Sequence, residues 1–330
     1  MATVGASNPT IADVAKRLDP DGKIDKIVEI LNETNEVLDS MTWIEGNLPT
    51  GHLTTVRSGL PSVAWRMLNY GVAQSKSRTV QVTDACGMLE AYAEVDKDLA
   101  DLNGNTAQFR LSEDRAFIEA MSQEMSDTLF YGNTDTDPEE FLGLAYRYSE
   151  LSGADNSENI INGAGTGSDN TSIWLVIWGP NTVHGIYPKA SKAGLSMRDL
   201  GEVTLEDAAG GKYQGYRSHY QWKSGLSLRD WRYVVRIANI DVSNLTKDAA
   251  TGADLIDLLQ QAVEIPPNLN MGRAAFYCNK TIRSFLRRQI TNRDNVNLTL
   301  ENFAGRKVVS FDGIPMYRCD SILLTEAALT

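Results

Sequence analysis

The sequence predicts an α+β protein. Three observations carry that expectation. An apolar stripe at helical spacing runs from Ser112 to Tyr131, a dense aromatic β region lies between Leu195 and Val242, and a wholly apolar run, Ile173–Trp178 (IWLVIW), is stopped by Gly179-Pro180.

Taken in order, the first 20 residues read as an arm, closed by the turn signal Asp19-Pro20-Asp21-Gly22. Ile24, Ile27, Val28, Leu31 and Leu38 then recur as on a helix, either an ordinary surface helix or one that docks on a partner. From Met41 to Arg78 periodicity is weak. Leu53–Arg57 and Thr79–Val82 read as extended segments joined by a long connection. That connection carries Trp65, Met67, Leu68 and Tyr70, so it either folds back on its own core or packs on another molecule.

A helix is expected over Ala85–Leu102, from Met88, Leu89, Tyr92, Val95 and Leu99. The next rod runs from about Thr106 or Ser112 to Tyr131, with Phe117, Ile118, Met121, Met125 and Leu129 in one stripe, Ser112 as its candidate N-cap and Gly132-Asn133 as its stop. Counted from Ser112 at 1.5 Å per residue it is about 30 Å long. A shorter helix is expected from Pro138 to Tyr148, then a polar loop, then the buried strand of IWLVIW, which Val183–Tyr187 extends or pairs with. Beyond the β region, Ala253–Val263 and Thr281–Ile290 read as helices and Ala274–Cys278 as a strand. Arg306–Phe311 and Pro315–Cys319 form a hairpin across Asp312-Gly313.

The composition excludes several functions. Of 330 residues, 42% are apolar and 22% charged, which excludes wholesale disorder. The formal charge of −12 makes a general nucleic-acid binder a poor reading. Cys86, Cys278 and Cys319 form neither a disulfide framework nor a zinc knuckle, and a reducing cytoplasm suits them. The start of the chain lacks a signal-peptide pattern and IWLVIW is far too short to span a bilayer, so no membrane role is expected. Gly163, Gly165 and Gly167 precede a β-type run rather than a helix, which argues against a dinucleotide loop. His52, His184 and His219 show no metal or catalytic spacing. Asp135, Asp137, Glu139 and Glu140 lack the glycine and distal glutamate of a calcium loop and read as helix-terminus charge in a solvated loop. No catalytic, cofactor or metal residue is expected. The basic helix face of Arg283, Arg287, Arg288 and Arg293 reads as an interface or as a solvated face.

Two blocks then carry a likeness. WGPNTVHGIYPK at Trp178–Lys189 and GLSLRDWRYVVRIANID at Gly225–Asp241 resemble the major capsid proteins of tailed bacteriophages, the family typified by phage epsilon-fifteen. Chain length and segment order agree, so the likeness covers most of the chain. It implies the Hong Kong type shell fold: an N-terminal arm over residues 1–48, an extended loop over 49–82 and a peripheral domain with its spine helix over 83–135. Axial segments would follow at 136–199 and 246–299, with a peripheral β region at 200–245 and peripheral strands at 300–330.

The implied function is a structural subunit that self-assembles into an icosahedral shell around double-stranded DNA, without sequence-specific binding. Its partners would be many copies of itself as pentamers and hexamers, with a cementing or decoration protein, a scaffold and a portal. It would be made in the host cytoplasm and end in the virion capsid. Trp43, Trp65, Met67, Tyr70, Arg283, Arg287 and Arg288 are the expected inter-subunit contacts. Some shells of this fold are cross-linked through a loop lysine. Lys76, the one lysine between Lys26 and Lys97, is the candidate donor, although reinforcement by a cementing protein is the stronger expectation. An encapsulin-like compartment protein and an enzyme with a non-local site are the alternatives.

Overall fold

Strands dominate the computed structural model, which describes Pro9 and residues 33–104, 106–207, 209–247, 252–292, 298–303 and 306–330. Helix α1 (Val37–Ser40) and strand β1 (Trp43–Glu45) lead into a long hairpin of β2 (Gly51–Gly59) and β3 (Arg78–Asp96). The single turn α2 (Lys97–Ala100) precedes α3 (Thr106–Tyr131), and the single turn α4 (Leu144–Arg147) follows it. Next come β4 (Ile160–Asn162), β5 (Asn170–Trp178), β6 (Val183–Tyr187), β7 (Ser196–Glu206), β8 (Lys212–Leu228) and β9 (Val234–Asp241). Helix α5 (Leu255–Glu264), β10 (Arg273–Cys278), α6 (Lys280–Asn292), β11 (Leu298–Phe303), β12 (Arg306–Phe311) and β13 (Ile314–Arg318) complete the order. The strands join in the order β11-β12-β13-β10-β5-β6-β8-β3-β2, with β1 beside β6, β7 beside β8, β9 beside β5 and β4 beside β9.

Strand β5 shows how the sequence builds the core. All nine of its residues are buried. Successive side chains of a strand point to opposite faces, so IWLVIW feeds two cores at once. Ile173 and Leu175 enter one with Leu255 and Leu259 of α5 and Ile282 and Leu286 of α6. Trp174, Val176 and Trp178 enter the other with Met125, Leu129 and Phe130 of α3. The indole of Trp178 donates to the Tyr277 hydroxyl at 2.7 Å. A run that is apolar on both faces therefore reports a central strand covered by helices on each side.

A buried ionic clamp ties the end of the chain to this centre. Arg236 of β9 donates to Glu326 at 2.8 Å, and both are nearly fully buried. Tyr131 at the end of α3 donates to the other oxygen of Glu326 at 2.6 Å, and the hydroxyl of Ser172 donates to its first at 2.5 Å. A buried charge pair persists only when its remaining lone pairs are satisfied in this way.

Three sequence expectations need correction. The segment Ala85–Leu102 is strand up to Asp96, not helix. Leu89 and Ala91 pack inward, Ala93 and Val95 are buried, and Met88 and Tyr92 point outward. The small alanines hide the period of two, and the ladder of Cys86–Asp96 against Gly215–Gly225 of β8 overrides the helical propensity of the glutamates. Of the two starts open for the long rod, Thr106 is the one observed, so α3 spans 26 residues, about 39 Å, and only the expected Ser112 cap fails. Ser112 lies inside it rather than capping it, because Thr106 already anchors the start through its hydroxyl to Asp101 at 2.6 Å. The helix expected over Pro138–Tyr148 shrinks to α4. Asn133 accepts from the amide of Asp135 with its side chain and from that of Asp137 with its carbonyl, a local turn that competes with helix.

The remaining elements agree with the pattern. The expected hairpin is present, with Phe311 opposite Ile314 and Asp312 and Gly313 at φ of 50° and 75°, the positive values its two-residue turn requires. Strand β6 meets β5 only at Trp178–Val183 and pairs mainly with β8 and β1. The patch at residues 11–18 and most of the helix expected from Ile24 lie outside the described residues.

Candidate assembly surfaces

The extended hairpin grows out of the central sheet. Residues Arg78–Ala85 of β3 pair with β2, and Cys86–Asp96 of the same strand pair with β8. One strand of 19 residues, about 60 Å long, thus joins the hairpin to the body without a break. Beyond Gly59 the chain leaves the ladder, and residues 60–76 are exposed throughout. Trp65 is 104% exposed, Met67 68% and Tyr70 67%. Of the two readings left open for this connection, the first is excluded: it does not fold back on its own core. Apolar side chains of this size in contiguous exposure mark an interaction surface.

Trp43 differs. It was expected on an exposed arm, but β1 runs parallel to β6, with Trp43 opposite Gly185. The indole is half-buried, 6.4 Å from the ring of Trp222. Glycine at 185 permits this, since a Cβ there would come within 2.6 Å of the Trp43 ring. On α6, Arg283 is half-buried, Arg287 is exposed, and the Arg288 guanidinium lies 4.7 Å over the Phe285 ring. Arg293 lies outside the described residues.

Sequence reasoning missed two arrangements. At the root of the hairpin, the rings of His52 on β2 and His184 on β6 meet edge-on at 5.7 Å. Asp84 of β3 is buried beside them and takes a 2.9 Å ion pair from Arg147 of α4. Burial first, then the neighbouring His52 and Arg229, lowers the His184 pKa to about 4. Neither histidine signals the other in the sequence.

The second arrangement is a cleft between α3, the first turn of the β3–β8 ladder and the 139–141 segment. Met88, Leu89, Met125 and Phe141 form its apolar lining, and Glu124, Glu139 and Glu140 rim it. Gly87 lets the 139–140 backbone approach β3, because a Cβ there would stand 3.0 Å from the Glu139 carbonyl oxygen. Burial, Asp137 and Glu124 push the Glu140 carboxyl above its ordinary range, and burial with Glu124 and Glu33 does the same to Asp127. Among the described residues, no group of His, Cys, Asp or Glu is placed to hold a metal.

Comparison with known proteins places this geometry. A chain of the near-atomic cryo-EM structure of bacteriophage Epsilon15 is 39% identical, with 100% of each chain covered and a TM-score of 0.79. The Bacteriophage JBD30 capsid aligns more loosely, at 9% identity over 88% of this chain and 92% of that one, with a TM-score of 0.49. The SrpI encapsulin from Synechococcus elongatus PCC 7942 aligns at 12% identity over 73% and 93%, with a TM-score of 0.41. Neither of these two is close enough to carry an argument. No curated relative matches the chain. The family described as Major capsid protein GP7 matches residues 19–330. A β-rich body with a long helix, an extended hairpin and aromatic side chains that the chain itself leaves bare belongs to a self-assembling structural subunit rather than an enzyme, and this chain is a member of the major capsid protein family GP7 of tailed phages.

Proposed function

We propose that copies of this chain interlock through the segment 49–82, which lies over a neighbouring subunit in rings of five and six that close into an icosahedral shell. The exposed loop carries this reading. Trp65, Met67, Leu68 and Tyr70 find no cover among the described residues of their own subunit, and closed symmetry covers the same patch in every copy. In this arrangement residues 1–48 form the arm, 83–135 and 200–245 with 300–330 the peripheral domain, and 136–199 with 246–299 the axial domain. Arg283, Arg287 and Arg288 face a neighbour there, and Trp43 braces the base of the arm.

The shell encloses double-stranded DNA without reading it. The formal charge of −12 fits a wall that does not trap phosphates. A scaffold, a portal and a cementing protein complete the particle, which is made in the host cytoplasm. Electron microscopy and light scattering of the purified chain, alone and with the proteins encoded beside it, test the reading. Closed shells or five- and six-membered rings are expected. A subunit that stays monomeric in both preparations overturns it.

A further inference from the structure

The loop and the cleft are chemically opposite. No Asp or Glu occurs between Glu45 and Asp84, while Arg57, Arg66, Lys76 and Arg78 all do. This carboxylate-free, cationic stretch of an acidic chain is therefore also the one that bares Trp65 and Met67. The cleft inverts this pattern, with an apolar floor of Leu89, Met125 and Phe141 inside a rim of Glu124, Glu139 and Glu140. Asp127 lies one turn from Glu124 and faces the same side.

Among the described residues, no lysine or arginine forms an ion pair with any of these four carboxylates. Lys223 stands opposite Met88 across the β3–β8 ladder and is not drawn to them. Burial first, and then neighbouring carboxylates, Asp137 and Glu124 for Glu140 and Glu124 and Glu33 for Asp127, raise both groups. Such a rim is more stable once cations arrive, and its floor once apolar side chains cover it.

We infer that this acid-rimmed cleft beside α3 is the seat for the 60–76 loop of a second copy, with Trp65 and Met67 on the apolar floor and the loop cations against Glu124, Glu139 and Glu140. This rests on the shell reading and adds to it the place and the chemistry of the contact. The first 32 residues fit less well as occupant, since their four cations are matched by five carboxylates. Charge opposition also fixes register: a neighbour turned the wrong way sets like charges against each other.

Two full-length measurements test the seat. In the first, p-benzoylphenylalanine replaces Trp65, assembled particles are irradiated, and the cross-linked peptides are identified by mass spectrometry. Links to segments 87–89, 124–128 or 139–141 of another copy are expected. Links only elsewhere, including to the first 32 residues, overturn the inference.

The second is a charge exchange. Glu124→Lys with Glu139→Lys and Glu140→Lys should cut particle yield about tenfold or more, as should Arg66→Glu with Lys76→Glu and Arg78→Glu, and the combined variant should recover it. Thermal melts of each subunit separate misfolding from lost docking, and the irradiation experiment decides should a variant fail to fold. Wild-type yield from the cleft variant, or no recovery in a combined variant that folds, overturns the seat while the shell stands. If the wild type forms no particle with its neighbouring gene products, the shell reading falls first and the seat with it.

Discussion

Strand β5 and the 60–76 loop use the same vocabulary to opposite ends. Each carries tryptophan with aliphatic neighbours: Trp174 between Ile173 and Leu175, and Trp65 between Val63 and Met67. In β5 every side chain is covered by its own subunit, whereas in the loop none of the large ones is. Burial of apolar surface stabilises a fold in the first case and has to await a partner in the second. The difference teaches that hydrophobicity locates contact surface but leaves open which chain supplies the other half. Alternating faces in a strand with helices on both sides answer that question internally. A proline- and glycine-punctuated connection does not.

The sharpest way to break the comparison is at its buried end. Trp174 packs 6.1 Å from the Phe130 ring, 6.2 Å from that of Tyr148, and beneath the Arg236 guanidinium at 5.0 Å. Trp174→Ala should cost the subunit about 3–5 kcal/mol, the usual range for emptying such a site. Denaturant titration of the subunit measures it. A loss below 1 kcal/mol would mean that β5 is not the shared wall of two cores.

A smaller effect is expected where the hairpin joins the body. His184 is held to about 4 by burial, His52 and Arg229, against an ordinary value near 6.5 in the unfolded chain. Above about pH 6.5 the ring is neutral in both states and contributes no pH dependence. As pH falls below that, the unfolded chain takes up the proton first, so stability is lost progressively until about pH 4, where the folded form titrates as well. The full loss is on the order of 3 kcal/mol. Urea midpoints between pH 7.5 and 4.5 should fall more steeply for the wild type than for His184→Asn. Parallel slopes would show that the ring is not held neutral by its surroundings.

How far all this could be read from the sequence depends on how local the cause is. The Asp312-Gly313 hairpin was legible because two adjacent residues dictate it. The two-faced apolar run of β5 was legible because its pattern is complete within nine residues. Trp65, Met67 and Tyr70 stood out as apolar residues in a loop, and exposed they are. The strand character of Ala85–Asp96 was not legible, since its ladder partner Gly215–Gly225 lies far along the chain and Met88, Leu89, Tyr92 and Val95 mimic a helix. Trp43 looked like an arm residue because nothing near it announces Gly185 as its floor. The histidine pair and the acid-rimmed cleft are products of topology alone. The absence of carboxylates between Glu45 and Asp84 was visible throughout, yet it acquires meaning only beside the cleft.

The smallest effect on the subunit tests the exposed end. Trp65 is fully exposed among the described residues, so Trp65→Ala should leave the denaturation midpoint of the subunit within about 0.5 kcal/mol of the wild type, as for other surface changes. Assembly should respond out of proportion. A buried tryptophan at a protein contact commonly carries about 2 kcal/mol or more, which at one contact raises the concentration needed to associate roughly 30-fold. Light scattering against protein concentration reads that threshold, and the same samples give the midpoint. A subunit destabilised as much as its assembly would place Trp65 against its own core. An unchanged threshold would leave the loop's aromatic face without the neighbour that its exposure demands.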